Sequence, residues 1–370
     1  MPAKPVVGAA MMSACGSAVF LVLPMLVGQM IDYRGLNEGQ AGLVASTYFA
    51  TYLLSGASAF FWMNRVNWRT AGVVAYLLMV LGLLLAIFSE NQLTLSMCFA
   101  VSGVGGGMLY ALGVAVVSST VDADRNFGWV LVAQQIVAAF LLLLIPPLIT
   151  PLWDFAGTLS VLAIVAALLA ISYRWIPLSR TVVSAPKDIV GSNNWPVRWA
   201  LFAMLLHFTA LSALWAFVDR LATHNGLSEE GIGSGLALSM FAGLAGALLV
   251  TRMAGHFGRK LPLWFAAGGF FAVCYGFHLE FGWGQFALLT ALLSFVWNFV
   301  LAYQMGIVAG LDRDGRYAVL IPAAQACGAM LGPAAGGLII TTGGYSILLA
   351  FAAAGALVAT LIFLRLSASS

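Results

Sequence analysis

The sequence predicts an all-α membrane protein with twelve transmembrane helices, arranged as two six-helix pseudo-repeats. Of its 370 residues, 62% are hydrophobic and only 8% are charged, against about 25% charged in an ordinary soluble domain. The mean hydropathy is +0.99, so the apolar residues are too many to face inward in water. These values exclude a soluble enzyme, and the long continuous apolar segments exclude a β-barrel, whose strands alternate polar and apolar residues.

Twelve apolar segments bounded by glycine, proline or charged residues predict the individual helices. About 20 residues are needed to cross the hydrocarbon core, and each segment has that length. The segments lie near residues 5–31, 40–62, 70–89, 94–119, 126–149, 154–175, 196–219, 230–252, 261–280, 284–310, 317–341 and 344–366.

The positions of the charged residues predict the topology and the domain boundaries. Residues 176–195 are polar and fall mid-chain, which predicts a cytoplasmic linker between bundles 1–175 and 196–370. If both termini are cytoplasmic, fourteen Lys and Arg residues lie on the cytoplasmic side of the membrane and only Arg34 and Arg220 lie on the other side. The positive-inside rule therefore predicts a multi-pass protein of the cell membrane, of the bacterial inner-membrane type, with both termini cytoplasmic.

The two halves of the chain match at an offset of 191 residues. Leu36-Asn37-Glu38 aligns with Leu227-Ser228-Glu229, Arg125 with Arg316, and Gln134 with Gln325. Because each half has an even number of predicted helices, both copies run in the same direction through the membrane. Parallel repeats of this kind are typical of transporters, whose substrate site lies between the halves.

Two basic segments carry a resemblance to a known family. Residues 251–260 read TRMAGHFGRK, and residues 60–69 read FFWMNRVNWR at the equivalent place. They resemble the loop motif of the major facilitator superfamily, with Asn64 and Gly255 in place of its carboxylate. The resemblance covers the whole chain and implies alternating access by a monomer, with Arg65, Arg69, Arg259 and Lys260 as gating residues on the cytoplasmic side.

Two glycine-rich stretches depart from the antiporter pattern of that family. Residues 103–107 read GVGGG without an arginine in the span, and the pattern at 328–337, which contains Pro333, lies in the eleventh predicted helix instead of the fifth. Small residues in membrane helices serve close packing. We therefore interpret both stretches as packing surfaces, which disfavours multidrug efflux.

His207 is the only ionisable side chain near the middle of a predicted helix. Such groups are costly in a membrane and mark functional sites, and imidazole titrates near neutral pH. Steps of four residues from His207 place Trp215 and Asp219 on the same winding face of the helix. A nearby Asp219 would favour the charged form of the imidazole, whereas burial would favour the neutral form. The alternative is a neutral His207 bonded to a neighbour, with Asp219 and Arg220 hydrated at the interface.

Polar and aromatic residues at helical spacing are the candidates for solute binding. The second helix carries the stripe Tyr48, Thr51, Tyr52 and Ser55, whose alternative role is hydrogen bonding between helices. The full set of predicted substrate-binding residues is Tyr48, Tyr52, Tyr110, Gln134, Trp215, Asn298, Gln304 and Gln325.

Other functional classes lack their signals. No paired histidines, nucleophile elbow or Walker loop occurs in the sequence, so we predict no enzyme, no metal and no cofactor. No basic cluster for nucleic acid is present either. The prediction is a secondary active transporter of a small organic solute, coupled to protons through His207 and Asp219. The alternatives are an uncoupled facilitator, an efflux antiporter, or a receptor or assembly factor on the same scaffold.

Overall fold

The computed structural model describes residues 4–63, 65–118, 120, 123–179, 195–253, 258–311, 317 and 320–367. Within these residues every regular element is helical. The chain divides into two compact units, Met1–Val183 and Ser184–Ser370. The predicted linker at 176–195 overlaps this division, although its residues 180–194 lie outside the described part.

Seven α-helices form the first unit, together with one short π and one short 3-10 segment. The helices are α1 (Lys4–Leu21), α2 (Leu23–Arg34), α3 (Glu38–Trp62), α4 (Trp68–Ile87), α5 (Gln92–Ser118), α6 (Ala123–Leu144) and α7 (Thr150–Leu169). The π segment Ile145–Ile149 connects α6 to α7, and the 3-10 segment Ala170–Arg174 follows α7.

The described residues of the second unit form five α-helices. They are α8 (Trp195–His224), α9 (Glu229–Met253), α10 (Lys260–His278), α11 (Trp283–Leu311) and α12 (Ile321–Leu366).

Local sequence signals set several helix ends. Asn37 and Gln40 form a reciprocal capping box at the start of α3, which satisfies two backbone N–H groups that the helix leaves free. Asn67 accepts a hydrogen bond from the Arg69 backbone at the start of α4. Gly35 ends α2 with φ of 64°, the left-handed conformation that glycine adopts without a Cβ penalty.

Two long helical segments contain a break. Asp154 has φ of 50° and ψ of −147° near the start of α7, and Gly344 has φ of 79° and ψ of −179° inside α12. Neither pair of angles is helical, so the chain changes direction at both residues. Asp154 is the one non-glycine residue with positive φ in the described part of the chain.

Helix boundaries recur at the offset that the sequence suggested. Helix starts at Glu38 and Gln92 in the first unit lie 191 residues before those at Glu229 and Trp283. The helix end at Ile87 has the same relation to His278, as does the positive-φ residue Gly35 to Gly226.

Glycines allow the helices of each unit to approach closely, as the sequence predicted. A Cβ at Gly105 would lie 2.6 Å from the Met79 backbone nitrogen of α4, and one at Gly16 would lie 2.6 Å from the Gly106 carbonyl oxygen. In the second unit, a Cβ at Gly332 would lie 2.7 Å from the Ala213 backbone nitrogen. These distances are too short for any side chain, so both glycine-rich stretches are packing surfaces.

Nine helical segments of the described residues are long and apolar enough to cross a membrane. Two of them, Gly128–Arg174 and Ile321–Leu366, have 47 and 46 residues and contain the two breaks. Helix α3, which carries the polar stripe, is not among the nine. The chain is therefore an all-helical, multi-pass membrane protein.

Candidate functional site

His207 lies in the middle of α8 and is 5% exposed. Neither of its ring nitrogens has a hydrogen-bond partner in the described part of the chain. Its ring faces the Phe270 ring of α10, with 6.2 Å between centroids. The bond to a neighbour that the alternative reading of His207 requires does not occur among the described residues.

Aromatic rings continue from His207 along α8 to α11. The Trp297 ring lies 6.3 Å from that of Phe208 and 6.2 Å from that of Trp215, both in edge-on geometry. Trp215 is fully buried. The three rings form an apolar wall between α8 and α11.

Helix α11 carries two of the predicted amide side chains, in contrasting states. Gln304 has no exposed surface, and neither its amide nitrogen nor its amide oxygen has a partner among the described residues. The Asn298 amide instead donates to the Ser294 carbonyl at 2.9 Å. Gln304 and Trp297 are seven residues apart and therefore share a face of α11. Gln304 thus places on that face an amide that makes no hydrogen bond among the described residues.

Asp219 is paired with Arg220 and distant from His207. The residue is 3% exposed, and its carboxylate accepts from the Arg220 guanidinium at 2.8 and 3.0 Å, so neither residue is hydrated at an interface. Twelve positions of continuous helix separate Asp219 from His207, which amounts to about 18 Å at 1.5 Å per residue. The two side chains are not in contact, and a role of Asp219 in proton coupling stays a prediction.

The tyrosine stripe of α3 packs inside the first unit. Tyr48 is 1% exposed, and its hydroxyl donates to the Gly16 carbonyl of α1 at 3.5 Å. The Tyr52 ring lies 6.1 Å from that of Tyr48 and 6.0 Å from that of Tyr110. Thr51 and Ser55 donate to carbonyls of their own helix. These contacts favour the packing alternative for Tyr48, while the half-buried Tyr52 and Tyr110 retain partly accessible surface.

Gln134 and Gln325, the predicted repeat-related pair, are both half-buried and lie in different units. The Gln325 amide nitrogen lies 3.9 Å from the Met204 sulfur of α8. That contact is weak, because a thioether sulfur is a poor acceptor. Gln325 is thus on the side of α12 that faces α8.

The predicted gating residues contact neighbours within their own units. Arg69 donates to the Ile176 carbonyl at 2.9 Å, and the Arg259 guanidinium lies against Gly310 near the end of α11. Arg65 and Lys260 are exposed. Asn64 and residues 254–257 lie outside the described part. Gating stays a prediction, and cysteine labelling from each side of the membrane in Arg259→Ala would test it.

Sequence reasoning missed two groups near these residues. Phe270 supplies the ring that covers His207, and Tyr303, next to Gln304, is 8% exposed with no partner for its hydroxyl in the described chain. Both occur in continuous apolar segments, where composition cannot distinguish a residue that faces a polar group from one that faces lipid.

Buried polar side chains on apolar, membrane-length helices are characteristic of a membrane transporter. The family model described as Major Facilitator Superfamily matches residues 6–311. The chain therefore belongs to the major facilitator superfamily.

Two curated relatives support this assignment. One is an uncharacterised MFS-type transporter of Enterobacter sp. (strain 638), 24% identical over 257 residues. The other is the uncharacterised MFS-type transporter YcaD of Escherichia fergusonii, 25% identical over 252 residues. Each match covers 65% of this chain and 64% of the relative.

Solved transporter structures show the same fold at low sequence identity. The nucleoside transporter NupG superposes with a TM-score of 0.75 and 11% identity, over 99% of both chains. The POT family transporter PepTSo gives a TM-score of 0.76 and 12% identity, over 100% of this chain and 98% of that one. Likeness at this identity concerns the fold alone.

Proposed function

We propose that this protein is a secondary active transporter that moves a small organic solute by alternating access between two six-helix halves. Three features support the proposal: membership of the family, helix boundaries that recur every 191 residues, and unpartnered polar groups in the second unit. Parallel repeats give a transporter two halves that can rock around a central site.

Helix lengths support twelve spans. A continuous helix of 46 or 47 residues would be about 70 Å long, more than twice the ~30 Å hydrocarbon core. We infer that each of the two long segments crosses twice, reversing near Asp154 and Gly344, and that α3 also crosses. An even number of spans and the fourteen inward basic residues together support cytoplasmic termini, which reporter fusions at each end would test.

The observation that carries the site is the pair of buried, unpartnered side chains His207 and Gln304. Leaving a buried polar group without a partner costs about 1–3 kcal/mol, so stability alone does not explain either residue. A solute with a hydrogen-bonding edge would satisfy both, and the rings of Trp297 and Trp215 would cover its apolar part. We propose an aromatic or amphipathic solute that is neutral or singly charged.

Proton coupling through His207 is part of the proposal. Its imidazole is the only ionisable side chain in the middle of a predicted span, and imidazole changes charge near physiological pH. In the absence of a nearby Asp219, access of water or solute to the ring would have to control its protonation. An uncoupled facilitator is the alternative, since that mechanism needs no protonatable group.

Transport in proteoliposomes tests the proposal. The first step is to find a solute by screening nucleosides, peptides, sugars and aromatic amines for compounds that raise the thermal unfolding midpoint of the purified protein. We expect His207→Gln to retain exchange of that solute at equal pH but to lose accumulation driven by a pH gradient. Gln304→Leu should lower the affinity in both assays, because the solute loses a hydrogen bond.

The control is the unmutated protein with nigericin, which collapses the pH gradient without touching the protein. Accumulation by His207→Gln against a concentration gradient would contradict the coupling scheme. If the unmutated protein never exceeds equilibrium, the protein is an uncoupled facilitator.

A further inference from the structure

A cavity lies at the end of the second unit where α8 and α10 terminate, away from the middle of the helices. Its volume is about 1020 Å³. Among the residues that line it are Asn225, His224, His278, Glu280 and Tyr345. His224 is seventeen residues from His207 on the same helix, about 25 Å along its axis. The cavity is therefore separate from the site proposed for transport.

The electrostatics of this cavity favour a cation. Glu280 is the only residue with a formal charge at neutral pH among the described residues that line it. Helix α8 ends at His224 and α10 ends at His278, so two helix C-termini direct their partial negative charge toward the cavity. A second carboxylate, Glu230, lines a smaller adjoining cavity of about 580 Å³ that shares Asn225.

Aromatic rings supply a surface for the apolar part of a ligand. Tyr345 follows the break at Gly344, and its ring lies 5.6 Å from that of His224. Phe277 and Phe281 also line the cavity, with 5.5 Å between their centroids. A cation over the face of such a ring is attracted by its quadrupole.

The equivalent place in the first unit already holds a cation. The Arg34 guanidinium donates to the carbonyl of Ile87, the last residue of α4, at 2.8 Å. It also lies over the ring of Phe155, 5.5 Å from the centroid. Phe155 follows the break at Asp154, just as Tyr345 follows the break at Gly344.

The second unit keeps this arrangement but lacks the guanidinium. At the 191-residue offset, Asn225 replaces Arg34 and His278 replaces Ile87. Phe155 aligns with Ser346, and the ring after the break is supplied one position earlier, by Tyr345. Asn225 is short, and its side-chain oxygen accepts from the Phe281 backbone at 3.3 Å. The cavity thus lies where Arg34 reaches in the first unit, and the backbone carbonyl of His278 corresponds in position to that of Ile87.

We propose that this cavity binds a small organic cation, a guanidinium, amidinium or ammonium group on an aromatic or apolar body. The cationic group takes the place of the missing arginine, between Glu280 and the end of α10. The body of the ligand packs on Tyr345 and the neighbouring phenylalanines.

Benzamidine and its neutral isostere benzamide test this site by calorimetry on the purified full-length protein. We expect benzamidine to bind, and benzamide to bind roughly tenfold more weakly, because it lacks the charge. Glu280→Gln should weaken benzamidine binding by about two- to fivefold, the range of an exposed charge pair. Asn225→Arg should abolish binding, since it restores the internal guanidinium.

Glu90→Gln is the matched control. Glu90 is exposed in the corresponding connection of the first unit, and its loss should leave binding unchanged. Arg34→Asn should create a second, similar site in the first unit. Equal affinity for benzamidine and benzamide would overturn the proposal. The proposal would also be overturned if benzamidine bound unchanged to a correctly folded Asn225→Arg protein. If Asn225→Arg does not fold, unchanged binding to Glu280→Gln would overturn it.

Discussion

The two units share several helix boundaries, but four of their buried polar side chains differ in whether they have partners. In the first unit, the Tyr76 hydroxyl bonds Ser172 at 2.9 Å, and the Gln29 amide donates to Thr150 at 3.0 Å. In the second unit, His207 and Gln304 are equally buried and have no partners in the described chain. Tyr76 and Gln29 therefore use their polar groups to join helices, whereas His207 and Gln304 do not do so among the described residues.

The same contrast occurs at the helix ends. Arg34 closes the first unit at the end of α4, while the corresponding place in the second unit is an open cavity. At this place the two units thus differ through single side chains. Four substitutions test how far this difference between the units extends.

Asp219→Asn should have the largest effect. It leaves the buried Arg220 without its carboxylate, and breaking a buried ion pair costs about 3–5 kcal/mol. We expect a large drop in the thermal unfolding midpoint, and a much smaller one when Asp219→Leu and Arg220→Met are combined. A stable Asp219→Asn protein whose transport optimum moves with pH would instead restore the coupling role that the sequence suggested.

Gln304→Leu should stabilise the second unit by about 1–3 kcal/mol, because it removes a buried amide that has no partner. Tyr76→Phe in the first unit is the comparison, and it should lose about 1 kcal/mol with its bond to Ser172. Thermal unfolding of both variants checks the opposite signs. Destabilisation by Gln304→Leu would mean that the amide has a structural role.

Asp154→Gly should raise stability by about 1–2 kcal/mol, because a non-glycine residue at positive φ is strained. Gly344→Ala is the mirror experiment and should lower stability by about 1 kcal/mol. No atom lies within 4 Å of a Cβ at Gly344, so its effect reports the backbone alone. If both substitutions changed stability in the same direction, the two breaks would not be equivalent.

Tyr48→Phe should have the smallest effect, below about 1 kcal/mol, since its hydrogen bond to Gly16 is long at 3.5 Å. Uptake affinity should stay within roughly twofold, as expected for a packing residue. Tyr52→Phe, at a half-buried position, provides the matched measurement. A five- to tenfold loss of affinity in Tyr48→Phe would instead assign the stripe of α3 to solute binding.

Much of the fold follows from local sequence. The capping residues Asn37 and Asn67 begin helices where the pattern predicted them, and Gly35 ends one. The pairing of Asp219 with Arg220 could not be predicted in this way, because neighbouring residues on a helix do not normally face each other. Burial of both side chains forces the contact, and burial is a property of the whole unit.

The sequence by itself determined that this chain is helical, crosses a membrane several times and belongs to a transporter family. These properties are local or compositional, since a bilayer requires every span to satisfy its own backbone hydrogen bonds. Only the tertiary structure decided which polar side chains have partners. Tyr48 packs on α1, His207 faces an aromatic ring, and Arg34 fills a cavity that Asn225 leaves open. Each of these outcomes depends on residues far away in the chain, brought together by packing.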